Sequence, residues 1–157
     1  FQALSFIKSI KAQGNLSLFN RTTADVVLSE DQQFLYMKET MDSSQKGSSF
    51  YPLRSQNIQD LLGRMAKIEQ YAESRGFDEV VFSFIPNPVA ITQTESKPTN
   101  HLIPSLAYAN QGRLHLVDPT QVLIKGGKSY FFRSDSHWNQ QGAQAWLNQM
   151  NQYLLKL

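Results

Sequence analysis

The chain has 157 residues, enough for one ordinary domain with one core. Hydrophobic residues make up 41% and charged residues 18%, a globular balance, and no apolar run approaches the roughly 20 residues needed to span a bilayer. A net charge of +2, with lysines and arginines scattered, argues against a nucleic-acid partner, and the absence of cysteine rules out thiol catalysis, disulfides and zinc–thiolate sites.

The chain opens on Phe1 without the charged stretch and apolar core of a secretory leader, so it reads as a piece cut from something longer, any export signal removed or never present. Leu4, Ile7 and Ile10 recur at near-helical spacing before Gly14, predicting a short helix. Two apolar, β-favouring runs at 26–28 and 34–36 flank a polar stretch at 29–33, predicting a hairpin. Residues 40–49, "TMDSSQKGSS", are small, polar and aperiodic, and predict an exposed loop.

In "SQNIQDLLGRMAKIEQYAESRG", Ile58, Leu61, Leu62, Met65, Ile68 and Ala72 recur at steps of three and four. That spacing predicts a helix capped by Ser55 and stopped by Gly76. The run "DEVVFSFIPNP" predicts a strand covered on both faces and ended by Pro86, since proline cannot donate to a ladder. A short helix fits within 98–109, and "RLHLVDP" predicts a second strand ending at Asp118 and Pro119. Strand, crossover and strand imply a right-handed βαβ unit. The last segment places Ala143, Trp146, Leu147, Met150, Tyr153 and Leu154 on one face of a helix with Asn139 as its cap. With no internal repeat and no strong linker, residues 1–157 read as a single α/β domain or the N-terminal part of one.

The three histidines differ in surroundings. His115 falls within a predicted strand, as a hydrogen-bonded core or surface residue, and His101 lies in a polar segment. Neither has a partner at metal-ligand spacing, so no metal is expected. His137 follows Asp135 by two residues in a loop that leads into the last helix. A carboxylate there can accept from the imidazole Nδ1–H and fix the tautomer, leaving Nε2 to take a proton from a nucleophile. The same aspartate can equally cap a turn, and Trp138 can equally belong to the core.

"FFRSDSHWNQQGA" resembles the D-x-H-W-(T/N)-x-x-G block of SGNH-type hydrolases and acyltransferases, in particular the alginate O-acetyltransferase group, matching at Asp135, His137, Trp138, Asn139 and Gly142. "VVFSFIPNP", "LHLVDPTQVL" and, more faintly, "DVVLSEDQQFLYMKE" extend the likeness over roughly residues 25 to 150. The resemblance implies a three-layer αβα, flavodoxin-like fold with a mostly parallel sheet, incomplete in this chain, and an N-terminal hairpin. It also implies an O-acetyltransferase or acetylesterase working on a polysaccharide or other acyl ester outside the cytoplasm, periplasmic or extracellular. Asp135 would orient His137 as the general base toward a serine, and an oxyanion hole would hold the tetrahedral intermediate. Trp138 would pack behind the loop, Arg133 or Asn139 would line the pocket, a membrane-bound partner would supply the acyl donor, and no cofactor would be needed.

The serine is the missing part. Neither G-D-S nor G-x-S-x-G occurs. "KGSSF" at 46–50 lacks a preceding strand, and Ser83 lies inside a predicted strand, where its hydroxyl is expected to satisfy a backbone group. In the alginate-acetylating group the aspartate and histidine precede the serine, which places the expected nucleophile beyond Leu157. The alternatives are a homologue without catalytic activity, serving as a glycan-binding or assembly module, and an unrelated α/β interaction domain in which Asp135 caps the last helix.

Overall fold

The computed structural model describes residues 25–92, 99–134 and 137–157. The helix expected around Leu4–Ile10 and the Asp135 side chain lie outside these residues. The described chain is mixed α/β with two small sheets, one an antiparallel hairpin and one a parallel pair.

The hairpin joins β1 (Val26–Leu28) to β2 (Leu35–Met37), with Val27 opposite Tyr36. Its turn is organised by Ser29, whose buried Oγ accepts from the Gln33 and Phe34 amides and donates to Asp31 Oδ1 at 2.6 Å. A one-turn helix, α1 (Lys38–Met41), follows. Within 40–49, residues 43–47 form the exposed loop that the composition suggests, but the two ends depart from it. Thr40, Ser48 and Ser49 are buried, because Ser48 Oγ donates to the Thr40 carbonyl and the Ser49 amide donates to the same oxygen. Small hydroxyl side chains satisfied by nearby carbonyls can be buried at little cost, so polarity alone misjudges these three residues.

Helix α2 (Ser55–Glu73) is where the periodicity places it, with Ile58, Leu62 and Met65 buried. Its cap is Arg54 rather than Ser55: the Arg54 amide donates to Asn57 Oδ1 at 2.9 Å, so the reciprocal bond comes from inside the first turn. Ile68 remains 53% exposed although it belongs to the same apolar stripe. Gly76, at φ +89, takes the left-handed conformation that ends the helical run.

Strand β3 (Val81–Ser83) pairs in parallel with β4 (His115–Val117), Phe82 opposite Leu116. The crossover carries α3 (Pro88–Thr92) and α4 (Leu102–Asn110). Asn110 is buried at the end of α4 and stitches the turn into β4, its Nδ2 donating to the Leu114 carbonyl and its Oδ1 accepting from the Leu114 amide. All three residues of β3 are only half-buried, so this strand is not covered on both faces by the described residues. After β4 come α5 (Thr120–Gly126), a 3-10 turn (Gly127–Tyr130) and α6 (Gln140–Leu154).

Two apolar clusters result. Ile58, Leu62 and Met65 of α2 meet Leu106 of α4 and Leu114 beneath Phe82 and Leu116. Phe34, Tyr36, Val89, Ile91, Leu123 and Phe131 form the other, with Trp138 and Tyr130 packed against it. Full burial of one such side chain is worth about 1.5–3 kcal/mol, so either cluster repays several residues of backbone ordering. In the second cluster the Tyr36 hydroxyl lies 2.6 Å from Thr92 Oγ1, which itself donates to the Pro88 carbonyl, so the phenol is the donor. Burial raises the Tyr36 pKa above its usual range. Among the described residues no helix is long and apolar enough to cross a membrane.

Candidate active-site loop at the head of the last helix

The loop that carries His137 begins at Phe131 and returns through an isolated antiparallel bridge between Phe131 and Trp138. The Phe132 amide donates to the His137 carbonyl at 3.1 Å, and the Asn139 amide donates to the Tyr130 carbonyl at 2.9 Å. These bonds bring the two arms of the loop together at its base.

Three residues of the sequence block fix the base of this loop. Asn139 caps α6, its Oδ1 accepting from the Gln141 amide at 3.0 Å and the Gly142 amide at 3.1 Å. Its Nδ2 donates to the Ser129 carbonyl at 2.7 Å, so one amide side chain ties the helix start to the 3-10 turn before the loop. Gly142 is fully buried against that turn. A Cβ there would lie 3.0 Å from Trp138 Cβ, a tight contact, and 2.4 Å from the Tyr130 carbonyl oxygen, closer than a side chain tolerates. Trp138 packs into the second cluster and against Trp146, with ring centroids 5.4 Å apart at 38°. Trp146 in turn donates its indole N–H to Ser83 Oγ at 3.0 Å. The Ser83 hydroxyl therefore serves an indole from α6 rather than a backbone group, and it links the parallel pair to the helix that bears the loop.

The hairpin holds the other side. The Leu35 amide donates to the Arg133 carbonyl at 2.8 Å, and Lys128 forms an ion pair with Asp31 while lying 5.9 Å from the centre of the Phe34 ring. The Lys128 ammonium, with help from the Ser29 hydroxyl, holds the Asp31 carboxyl well below the ordinary range, at about 2. Arg133 is exposed, and its part in this arrangement is played by its backbone.

His137 is exposed in this loop, two residues from Asp135, which lies outside the described residues. Cap, close approach and packing fall to Asn139, Gly142 and Trp138, and none of those duties calls for an acid and an imidazole at 135 and 137. The cap role that an aspartate could have filled belongs to Asn139.

The other histidines are placed elsewhere. His115, at the start of β4, has its Nδ1 2.8 Å from the Tyr153 hydroxyl and its Nε2 3.1 Å from Glu79 Oε2. Its side chain is over a third exposed, so this is a docking contact for α6 of modest strength. His101 stands at the start of α4 with φ 49 and ψ 36, in the left-handed region. Among the described residues no group of three or more acidic or histidine side chains is placed to hold a metal ion.

"KGSSF" acquires an unforeseen setting. Asn87 Nδ2 donates to the Gly47 carbonyl and to Ser49 Oγ, both at 3.1 Å. Asn100 Nδ2 donates to the Ser48 carbonyl at 2.9 Å, and the Asn100 amide to the Ser49 carbonyl at 2.7 Å. The serines thus border a cleft beyond the carboxyl end of β3, together with His101 and Thr120. The isolated asparagines beside Pro86, Pro88 and Thr99 were the only trace of this in the sequence. No family model, curated protein or solved structure matches the chain.

Proposed function

We propose that the chain supplies the acid and base of a Ser-His-Asp site in an SGNH-like O-acetyltransferase or acetylesterase acting on a polysaccharide outside the cytoplasm. The observation that carries this reading is the division of labour in the block: Trp138, Asn139 and Gly142 build a rigid base, duties that take up neither Asp135 nor His137. In this scheme Asp135 accepts from His137 Nδ1–H, and Nε2 removes the proton of a serine as its oxygen attacks the acyl carbonyl. The same nitrogen then returns the proton to the leaving oxygen. The serine comes from outside these 157 residues. An acetyl group delivered by a membrane-bound partner would be passed to a glycan hydroxyl, or to water in an esterase.

The finer fold belongs to the same proposal. β3 and β4 are read as two strands of a larger, mostly parallel, three-layer αβα sheet that is incomplete in this chain. Two parallel strands make a marginal sheet, and parallel sheets are normally covered on both faces. In support, an apolar trough of about 360 Å³ runs beside β3, lined by Leu61, Met65, Ile68, Phe82 and Phe84.

The test is hydrolysis of p-nitrophenyl acetate, and acetyl transfer to a polysaccharide, by the full polypeptide that contains these residues. His137→Ala is expected to lower kcat by about 10³-fold or more, and Asp135→Asn to do the same through the wrong tautomer. Long-range 1H–15N spectra would report whether Nδ1 carries the proton. Full activity in His137→Ala sinks the catalytic reading. The absence of G-D-S and G-x-S-x-G from the sequence favours one second reading, a non-catalytic glycan-binding or assembly module. Saturable polysaccharide binding, undiminished in His137→Ala and without turnover, would select it.

A further inference from the structure

The cleft beyond the carboxyl ends of β3 and β4 is a second feature, and none of the described residues of 129–142 lines it. Crevices in this position are where open parallel sheets bind small molecules, because the strands end there and the following loops splay apart. Its walls are apolar, from Leu53, Phe84, Ile91, Leu102 and Ile103, and its volume is about 170 Å³. A cavity on the order of 150 Å³ is enough to hold a benzene molecule.

The rims are held before any ligand arrives. Asn87 from one side and Asn100 from the other clamp the 47–49 turn through four hydrogen bonds of 2.7–3.1 Å, and Ser48 and Ser49 are buried in consequence. Such a clamp reduces the ordering that binding would otherwise require. At the mouth stand Lys46 and His101, both exposed. His101 is held in a left-handed backbone conformation that an L-residue rarely adopts, and the clamp on neighbouring Asn100 fixes it there. None of the described residues that line the cleft carries a carboxylate, so among them the ammonium and the imidazole face no competing anion.

We propose that this cleft binds a small organic monoanion, with an apolar body of about six heavy atoms between Phe84, Ile91 and Ile103 and a carboxylate at the rim against Lys46 and His101. The apolar walls select the body, and the one-signed rim selects the charge. Nothing in this assignment depends on the acyl-transfer reading.

The probe is hexanoate, with 1-hexanol as its uncharged match, followed by methyl and amide NMR of the 157-residue chain. Hexanoate is expected to give saturable millimolar shifts centred on Ile91, Leu102 and Ile103, and hexanol to bind about fivefold more weakly. Lys46→Ala, an exposed change that leaves the core alone, should bring hexanoate down to the level of hexanol. Ala90→Phe should fill the cleft and abolish binding of both. No saturable shift in the millimolar range overturns the proposal. So does equal binding of hexanol and hexanoate, or shifts centred on residues 129–142.

Discussion

The α2–α4 layer and the histidine-loop base solve the problem of order in different ways. Between α2 and α4, order comes from repetition: Ile58, Leu62 and Met65 return every helical turn to the same face and meet Leu106. At the loop base each contact occurs once. One asparagine caps the helix and ties it to the turn, one glycine permits a carbonyl to approach, and one indole reaches Ser83. Repeated apolar contacts spread the effect of a substitution over many partners, whereas single contacts fix one local geometry and lose it all at once.

The largest expected effect falls in the repeated layer. Leu106 has no exposed surface, so Leu106→Ala should cost about 2–5 kcal/mol in urea unfolding, spread over the whole molecule, with amide shifts throughout α2 and α4. Gly142→Ala should cost about 1–3 kcal/mol, because the backbone oxygen of Tyr130 cannot move aside as a flexible side chain could. Its spectral changes should be confined to residues 129–142; changes spread evenly over both clusters would erase the distinction between the two regions. Asn139→Ala should cost about 1 kcal/mol, and Asn139→Asp should restore the cap to the Gln141 and Gly142 amides without restoring the donor to Ser129. An aspartate variant as destabilised as the alanine variant would show that the tie, not the cap, is the larger part.

The smallest effect concerns pH. The Asp31 carboxyl titrates at about 2 in the folded protein, below its ordinary value of 3.8, so the folded state binds fewer protons than the unfolded one in that window. The stabilisation is therefore complete above the ordinary value and is lost as pH falls from there through about 2. Asp31→Asn should flatten this part of the stability–pH curve and lower stability at neutral pH by the same amount, a small one because the pair is exposed to solvent. An unchanged acid limb would mean that the pair contributes nothing to anchoring the hairpin.

The same contrast explains what could be read in advance. Periodicity exposed α2 through Ile58, Leu62 and Met65, and the β-branched run ended by proline exposed β3. The hairpin followed from the apolar runs on either side of 29–33, and the last helix from its apolar face and Asn139. Helices α3 and α5, each beginning at or just after a proline, carry too few turns to show a period. The buried serines at 48 and 49 escaped because their partners, Asn87 and Asn100, lie 38 and 52 residues along the chain. Gly142 was visible as part of a block, but the carbonyl of Tyr130 that requires it was not. The block itself drew attention to Asp135 and His137, while the physical work of its other members emerged only from the folded chain.

The bond from Leu35 to Arg133 and the ion pair from Asp31 to Lys128 also bear on timing. The ion-paired residues lie 97 positions apart, so during synthesis the hairpin leaves the ribosome long before the segment that it must grip. At about 5–20 residues per second that interval is about 5–20 s, in which the inner edge of β2 and the Phe34 ring wait uncovered. The histidine loop consequently takes shape after the hairpin and the parallel pair, and a nascent chain stalled before α6 would expose an apolar hairpin that chaperones could recognise.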